Sequence, residues 1–322
     1  MASLTTNATI ATNVKTKQKS RLQKAWQYRS LIILALPGII YLIINNYLPM
    51  AGIFIAFKDL NYTKGIWGSD WIGFRNFEFL FATDEAYAII RHTILYNLAF
   101  IVINTAVAIL LALLLNEVKN RHFAKFYQST LLLPYFVSMV IVGYLVFGFL
   151  NPELGYVNKI ILEPLGVTGI SWYDSPEYWP AILTIVNTWK SVGYLTVIYL
   201  AAIIGIDPEY YEAARIDGAS KWKQMTTITI PLISPVIIIM TLLAIGNIFK
   251  ADFGLFFQAT MGSGSLKPTT DVLDTYVYNA ILVTGDTGLA SAAGLLQSVV
   301  GFVLVLSVNL IVRKISNENA LF

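Results

Sequence analysis

The sequence predicts an all-α polytopic membrane protein with six transmembrane helices, and three observations carry that reading. Apolar residues make up 56% of the 322 positions and charged ones only 13%, against roughly 25% charged in a soluble domain. The apolar residues gather into six runs, each reaching the roughly 20 residues that cross a bilayer core. Lysine and arginine concentrate in alternate loops between the runs, the asymmetry that sets topology.

The runs extend over Leu31–Phe57, Thr93–Val118, Phe126–Leu150, Tyr178–Ile206, Thr229–Phe256 and Gly288–Val312. Pro37 and Pro49 mark bends in the first. Ahead of it, residues 1–30 carry Lys15, Lys17, Lys19, Arg21, Lys24 and Arg29. This reads as a basic cytosolic tail leading into an uncleaved anchor, since no small-x-small site follows the first run. Lys119, Arg121, Lys125, Arg215, Lys221, Lys223, Arg313 and Lys314 fall on the same side as that tail. Glu153, Glu163, Asp174, Glu177, Asp271, Asp274 and Asp286 fall on the other. The basic side is cytoplasmic, which places both termini and the loop after residue 206 in the cytosol.

On the outer side, the aromatics of Trp71–Phe81 suit a short amphipathic helix lying in the membrane interface. Asn151-Pro152 and Leu154-Gly155 are turn chemistry. Trp172, Tyr173, Tyr178 and Trp179 suit an aromatic belt at the headgroups.

Composition also excludes function classes. With no cysteine there is no disulfide, thiol chemistry or cysteine-held metal. His92 and His122 are too few for a metal cluster. No G-x-x-x-x-G-K-[ST] loop is present to cradle ATP; Gly262-Ser263-Gly264 reads as an outer-loop turn. No nucleophile–base pair is in view, so no enzyme chemistry, cofactor or metal is expected. The net charge of +3 gives no argument for a nucleic-acid partner.

The most informative stretch is Asp207–Pro235, polar and rich in small residues between two apolar runs. Asp207-Pro208 suits an N-cap followed by proline at the first helical position. Tyr210–Ile216 is a good short helix former, Gly218 can end it through a positive φ, and Ala219–Thr226 can begin another. Ala213 and Ala214 leave a nearly bare face that a partner can approach closely. Glu212 and Arg215 are spaced to pair. Glu212, Ala213, Ala214, Asp217, Gly218 and Ala219, followed by Met225, Ile228 and Pro231, together resemble the EAA loop of permease subunits of binding-protein-dependent ABC importers. Trp71–Phe81, Leu131–Asn158 and Asn187–Ser220 resemble the carbohydrate-uptake group of type I importers, its oligosaccharide and polysaccharide-fragment subgroup above all. The resemblance covers Arg29–Arg313. Met225 stands where many relatives have phenylalanine, and a bulky apolar residue is kept.

The resemblance implies a MetI-like permease fold in a bacterial cell membrane. The implied organisation is a first transmembrane helix at 31–57, an extracytoplasmic loop at 58–92 and a core permease domain at 93–312. Within that core lies a coupling loop at 207–228, and a cytosolic tail follows at 313–322. The implied partners are a second, non-identical permease, two ATPase subunits that bind ATP and Mg, and an extracytoplasmic solute-binding protein, with membrane lipid around the spans. The implied solute is a saccharide.

Charges at membrane depth are costly and face a bundle interior or wet cavity. Lys190 sits mid-span beside Asn187, Trp189, Ser191 and Tyr194. These offer the polar groups and rings a sugar needs, although helix packing or a counter-ion role serves Lys190 equally. Asn247, Lys250 and Asp252 fall at the outer mouth of the fifth run, roughly 30 Å from its cytoplasmic end at 1.5 Å per residue. There they suit substrate contact, a gate, contact with the binding protein, or snorkelling. Lys190 and Lys250 are the natural partners of an anionic solute. Two rival functions stand beside the saccharide importer: an importer of another solute, and an ion-coupled transporter using Lys190 and Asp252 as a relay. The second requires paired broken helices in matching halves.

Overall fold

A computed structural model describes residues 28–315. Most of the tail read at 1–30, and all but the first few residues of that at 313–322, lie outside them. The chain divides into two units, Met1–Gly52 and Ile53–Phe322.

In the first unit, α1 (Arg29–Leu42) carries Pro37 in its interior. It passes into a wide turn over Ile43–Tyr47, where Asn45 donates back to the Tyr41 carbonyl at 3.0 Å. Pro49 follows in a tightly wound stretch, Leu48–Phe57, completing an apolar run of 29 residues.

The second unit opens with an antiparallel pair, β1 (Lys58–Asp59) and β2 (Asp70–Trp71). Lys58 is buried; its Nζ donates to the Ile66 carbonyl at 2.8 Å and lies 4.9 Å from the Trp71 ring centre. The expected interfacial helix is shorter than Trp71–Phe81: Trp71 belongs to β2, and α2 covers Arg75–Ala82. Asn76 fixes that start by donating to the Ala56 and Lys58 carbonyls.

The membrane helices follow. α3 (Asp84–Asn116) begins before the apolar run, because Thr83 caps it and Asp84 and Glu85 complement its first turn. α6 (Trp179–Ile204) runs beside α3 in the same direction. Tyr96 and Phe100 share an outer core with Trp179, Leu183 and Phe256, while Ala108 and Ala112 share an inner one with Leu200 and Ile203. Small residues in the inner seam let the two backbones close together. α12 (Thr287–Ile315), capped by Asp286 Oδ1 accepting from Leu289 N at 2.9 Å, is the last span.

Two expected spans are broken. The third is two helices, α4 (Arg121–Phe136) and α5 (Met139–Leu150), bent by 98°. Hydropathy gives no sign of this break. Ser138 caps α5, and the carbonyls ending α4 receive Lys190 Nζ: Pro134, which also accepts from Val137 N, at 3.3 Å, and Tyr135 at 3.1 Å and Val137 at 2.6 Å, otherwise left over. A cation at a helix C-terminus meets both the unpaired carbonyls and the negative end of the dipole. Gly193 makes this reach possible. A Cβ there would lie 1.8 Å from the Leu131 carbonyl oxygen, so only glycine lets α6 and α4 approach so closely.

The fifth span, α9 (Ile230–Gly246), stops short of the expected Phe256, and α10 (Phe253–Gln258) starts separately behind the Asp252 cap. The intervening backbone is held from three sides. Asn97 Nδ2 donates to the Ile248 carbonyl at 2.9 Å and the Lys250 carbonyl at 3.1 Å. Gln297 Nε2 donates to the Phe249 carbonyl at 2.9 Å. Asp274, on α11 (Leu273–Asn279), accepts from Ala251 N at 2.6 Å. Irregular backbone in a membrane protein persists where side chains satisfy it in this way, since each orphaned buried group otherwise costs about 1–3 kcal/mol.

The expected aromatic belt is largely a core. Trp179 is fully buried, donating Nε1 to the Trp172 carbonyl at 2.7 Å, and Trp172 Nε1 donates to Asn158 Oδ1 at 2.8 Å. Tyr173 donates to the Ala259 carbonyl at 3.0 Å, leaving only Tyr178 exposed. Each ring inserts because its polar tip finds an acceptor indoors.

Candidate functional site: a knob and an inter-helix cavity

The knob begins where α6 ends. Asp207 accepts from Glu209 N at 3.0 Å, Pro208 takes the first helical position, and α7 covers Pro208–Ile216. Gly218, at φ +75°, closes it with a paired-bond C-cap. Ala219 N donates to the Ala214 carbonyl at 2.9 Å and Gly218 N to the Arg215 carbonyl at 3.1 Å. Ser220 caps the next turn, α8 (Lys221–Gln224), two residues later than the sequence suggests. A wide turn over Met225–Thr229 joins α8 to α9.

Buried contacts seat this knob on the helices. Gln224 is buried and donates to the Ala219 carbonyl at 2.8 Å. The Tyr211 hydroxyl meets Thr229 Oγ1 at 3.0 Å, and Met225 and Ile230 pack on the inner core. Ile228 is half-buried, and Pro231 lies in the first turn of α9. Lys221 pairs with Glu117, at the end of α3, at 2.8 Å. Glu212 and Arg215 form no ion pair, since α7 keeps both turned to solvent. Outward, the knob presents Tyr210, Ile216 and Trp222, with Ile216 87% exposed. Ala213 and Asp217 are exposed and Ala214 half-buried between them. A cavity of about 450 Å³ beside it is lined by Glu117, Lys119, Tyr211, Glu212, Arg215 and Lys221, among others.

The second feature is a cavity of about 220 Å³ between α3, α6 and α9. Asn187, Ser191, Asn247 and Lys250 line it, as the sequence suggests. Trp189, Lys190 and Tyr194 do not. Lys190 is committed to α4, and Tyr194 stacks on Tyr135 with centres 4.8 Å apart. Sequence reasoning missed Asn97 and Asn104, which line the same cavity. Asn104 Nδ2 donates to Asn187 Oδ1 at 2.8 Å, joining α3 to α6, while Asn104 Oδ1 is buried without a donor among the described residues. The arrangement offers amide and hydroxyl groups, the Phe100 and Tyr199 rings, and one ammonium. Such a lining can offer hydrogen bonds and charge to a solute, and among the described residues it holds no nucleophile–base pair.

The model of the family described as "Binding-protein-dependent transport system inner membrane component" matches residues 104–317, which span α6, the knob and α9. The chain belongs to that family. This member of the binding-protein-dependent permeases is 36% identical over 304 residues to the polygalacturonan/rhamnogalacturonan transport system permease protein YteP of Bacillus subtilis (strain 168), covering 94% of each chain. It is 34% identical to protein LplB of the same organism, over 89% of this chain and 90% of that one. Among solved structures, it is similar to a chain of a bacterial ABC transporter that imports the acidic polysaccharide alginate. The TM-score is 0.84 at 34% identity, covering 92% of this chain and 99% of that one. The same likeness holds for that transporter in complex with an alginate pentasaccharide-bound periplasmic protein (TM-score 0.84, 33% identity). The fold is thus the MetI-like ABC permease fold, and the chain is an inner-membrane transporter subunit and no enzyme.

Proposed function

We propose that this permease forms the translocation pathway for a saccharide, an oligosaccharide or polysaccharide fragment, handed over by an extracytoplasmic binding protein. It pairs with a second, non-identical permease and is driven by two ATPase subunits that grip the 207–228 knob. Both termini and the knob face the cytosol, as the loop charges argue. The observation that carries this reading is the knob itself: apolar side chains stand outward on a short helix whose inner face is locked to the ends of α3, α6 and α9. Reversing a 1:99 preference between two states takes about 5.5 kcal/mol of differential binding, and a knob seated by buried contacts can transmit that. The saccharide follows from the polar, ring-bearing cavity at Asn187, Ser191, Asn247 and Lys250 and from the solutes for which the similar proteins are named. A relay through Lys190 and Asp252 finds no support, since Lys190 binds three carbonyls and Asp252 caps α10.

Gly218→Asp and Ala214→Trp test the coupling. Both variants are expected to insert normally, with uptake falling at least tenfold while the remaining subunits still hydrolyse ATP. Full uptake by both would overturn the assignment of the knob.

A further inference from the structure

We propose that Lys250 selects solute charge in this pathway, and that the saccharide it admits carries a carboxylate. The inference rests on the saccharide reading above and adds one ligand group to it.

Of the described residues lining the cavity between α3, α6 and α9, Lys250 alone is charged; the polar remainder are neutral amides and hydroxyls. Its backbone is pinned. Asn97 holds the Lys250 carbonyl, Lys250 N donates to the Asn247 carbonyl at 2.8 Å, and the next residue, Ala251, donates to Asp274. The side chain is left over. Among the described residues no carboxylate stands within ion-pair distance of its Nζ, and no acceptor within hydrogen-bond distance.

Asp274 feels the Lys250 charge from beyond ion-pair distance, and its carboxyl, like that of Asp252, is already engaged by other donors. Asp274 Oδ2 takes Ala251 N at 2.6 Å and Gln297 Nε2 at 3.1 Å, and Asp252 Oδ1 takes Leu255 N at 3.2 Å. The contrast with Lys190 is instructive, because that ammonium is answered by three carbonyls and turned away from the cavity. A cation at the lip of a neutral, low-dielectric cavity concentrates anions there. Lys250 is exposed at that lip, so a solute carboxylate can meet its ammonium there whereas a neutral solute gains nothing from the charge, and specificity is such a difference. Deeper in, the Asn104 and Asn187 amides, paired at 2.8 Å, line the cavity together with Ser191 and can meet sugar hydroxyls. Together these groups describe a ligand with hydroxyls at one end and a carboxylate at the other.

The test is direct binding to the complex purified with its partner subunits, without the binding protein, so that only the pathway discriminates. Galacturonate and mannuronate trisaccharides and their methyl esters serve as probes. The esters keep the ring and remove the charge. The acid of at least one pair is expected to bind at least tenfold more tightly than its ester. Lys250→Gln should abolish that preference, lowering acid binding at least tenfold more than ester binding, and Lys250→Arg should restore it. If acid and ester bind alike, or Lys250→Gln weakens both equally, the inference fails while the saccharide reading stands. If no trisaccharide binds in either form, both fail.

Discussion

At the scale of single residues, three side chains far from one another in sequence decide the local structure. Lys190, Asn97 and Gln297 each donate to backbone carbonyls that a straight helix would have used itself. Asp274 completes the second of these arrangements, and its environment sets a sign. Burial holds its carboxyl above the ordinary value, against the pull of the Ala251 N–H, of Gln297 and of the Lys250 charge. A raised folded value means that the protonated form is favoured in the fold. That contribution is present below the unfolded value of about 4 and is lost as pH rises through the folded one. Asp274→Asn keeps an acceptor for Ala251 N and removes the charge. It is therefore expected to raise the thermal midpoint at pH 7.5, with the gain shrinking towards pH 4. A midpoint that falls equally at both pH values would show the carboxylate itself to be required.

At the scale of elements, closeness between α4 and α6 is the controlling variable. Gly193→Ala places a methyl against the Leu131 carbonyl oxygen. Overpacking of that kind costs about 1–3 kcal/mol, and it also withdraws Lys190 from the end of α4. The expected result is a lower unfolding temperature in detergent together with faster proteolysis near residues 136–139; an unchanged digestion pattern would count against the coupling. The same elements show what sequence can and cannot reveal. The first helix of the knob was legible, because Asp207, Pro208 and Gly218 write its cap, its start and its stop in local chemistry. The ends of α4 and α9 were not, because Phe126–Leu150 and Thr229–Phe256 are long and apolar enough to pass as single spans, and the breaks near Ser138 and over residues 247–252 are held open by distant partners. Half of the cavity was legible for a related reason. Polar residues on α6 and α9 stood out near an intramembrane lysine, whereas Asn97 and Asn104 lay unremarked in an apolar helix. Their spacing of seven, one helical face, was the signal that could have found them.

At the scale of the whole molecule, α6 and α9 join the knob that follows residue 206 to the cavity between the helices. The ion pair from Lys221 to Glu117 ties α3 to the same knob, and being exposed it is worth at most about 1 kcal/mol. The contact of Tyr211 with Thr229 and the packing of Met225 on the inner core therefore carry the seating. Purification in mild detergent is expected to bring down an ATPase subunit and a second permease with this chain, and Tyr211→Ala should release the ATPase while leaving the second permease bound. Loss of both together would place the defect in folding.

The right-angled elbow between α4 and α5 carries one mechanical consequence. A straight rod can only pass a push along its own axis, whereas a crank of 98° turns that push into a sideways swing of the other arm. Spin labels on the two arms should thus report orthogonal displacements when nucleotide is added, with Lys190 sitting at the pivot like a pin in a bell-crank.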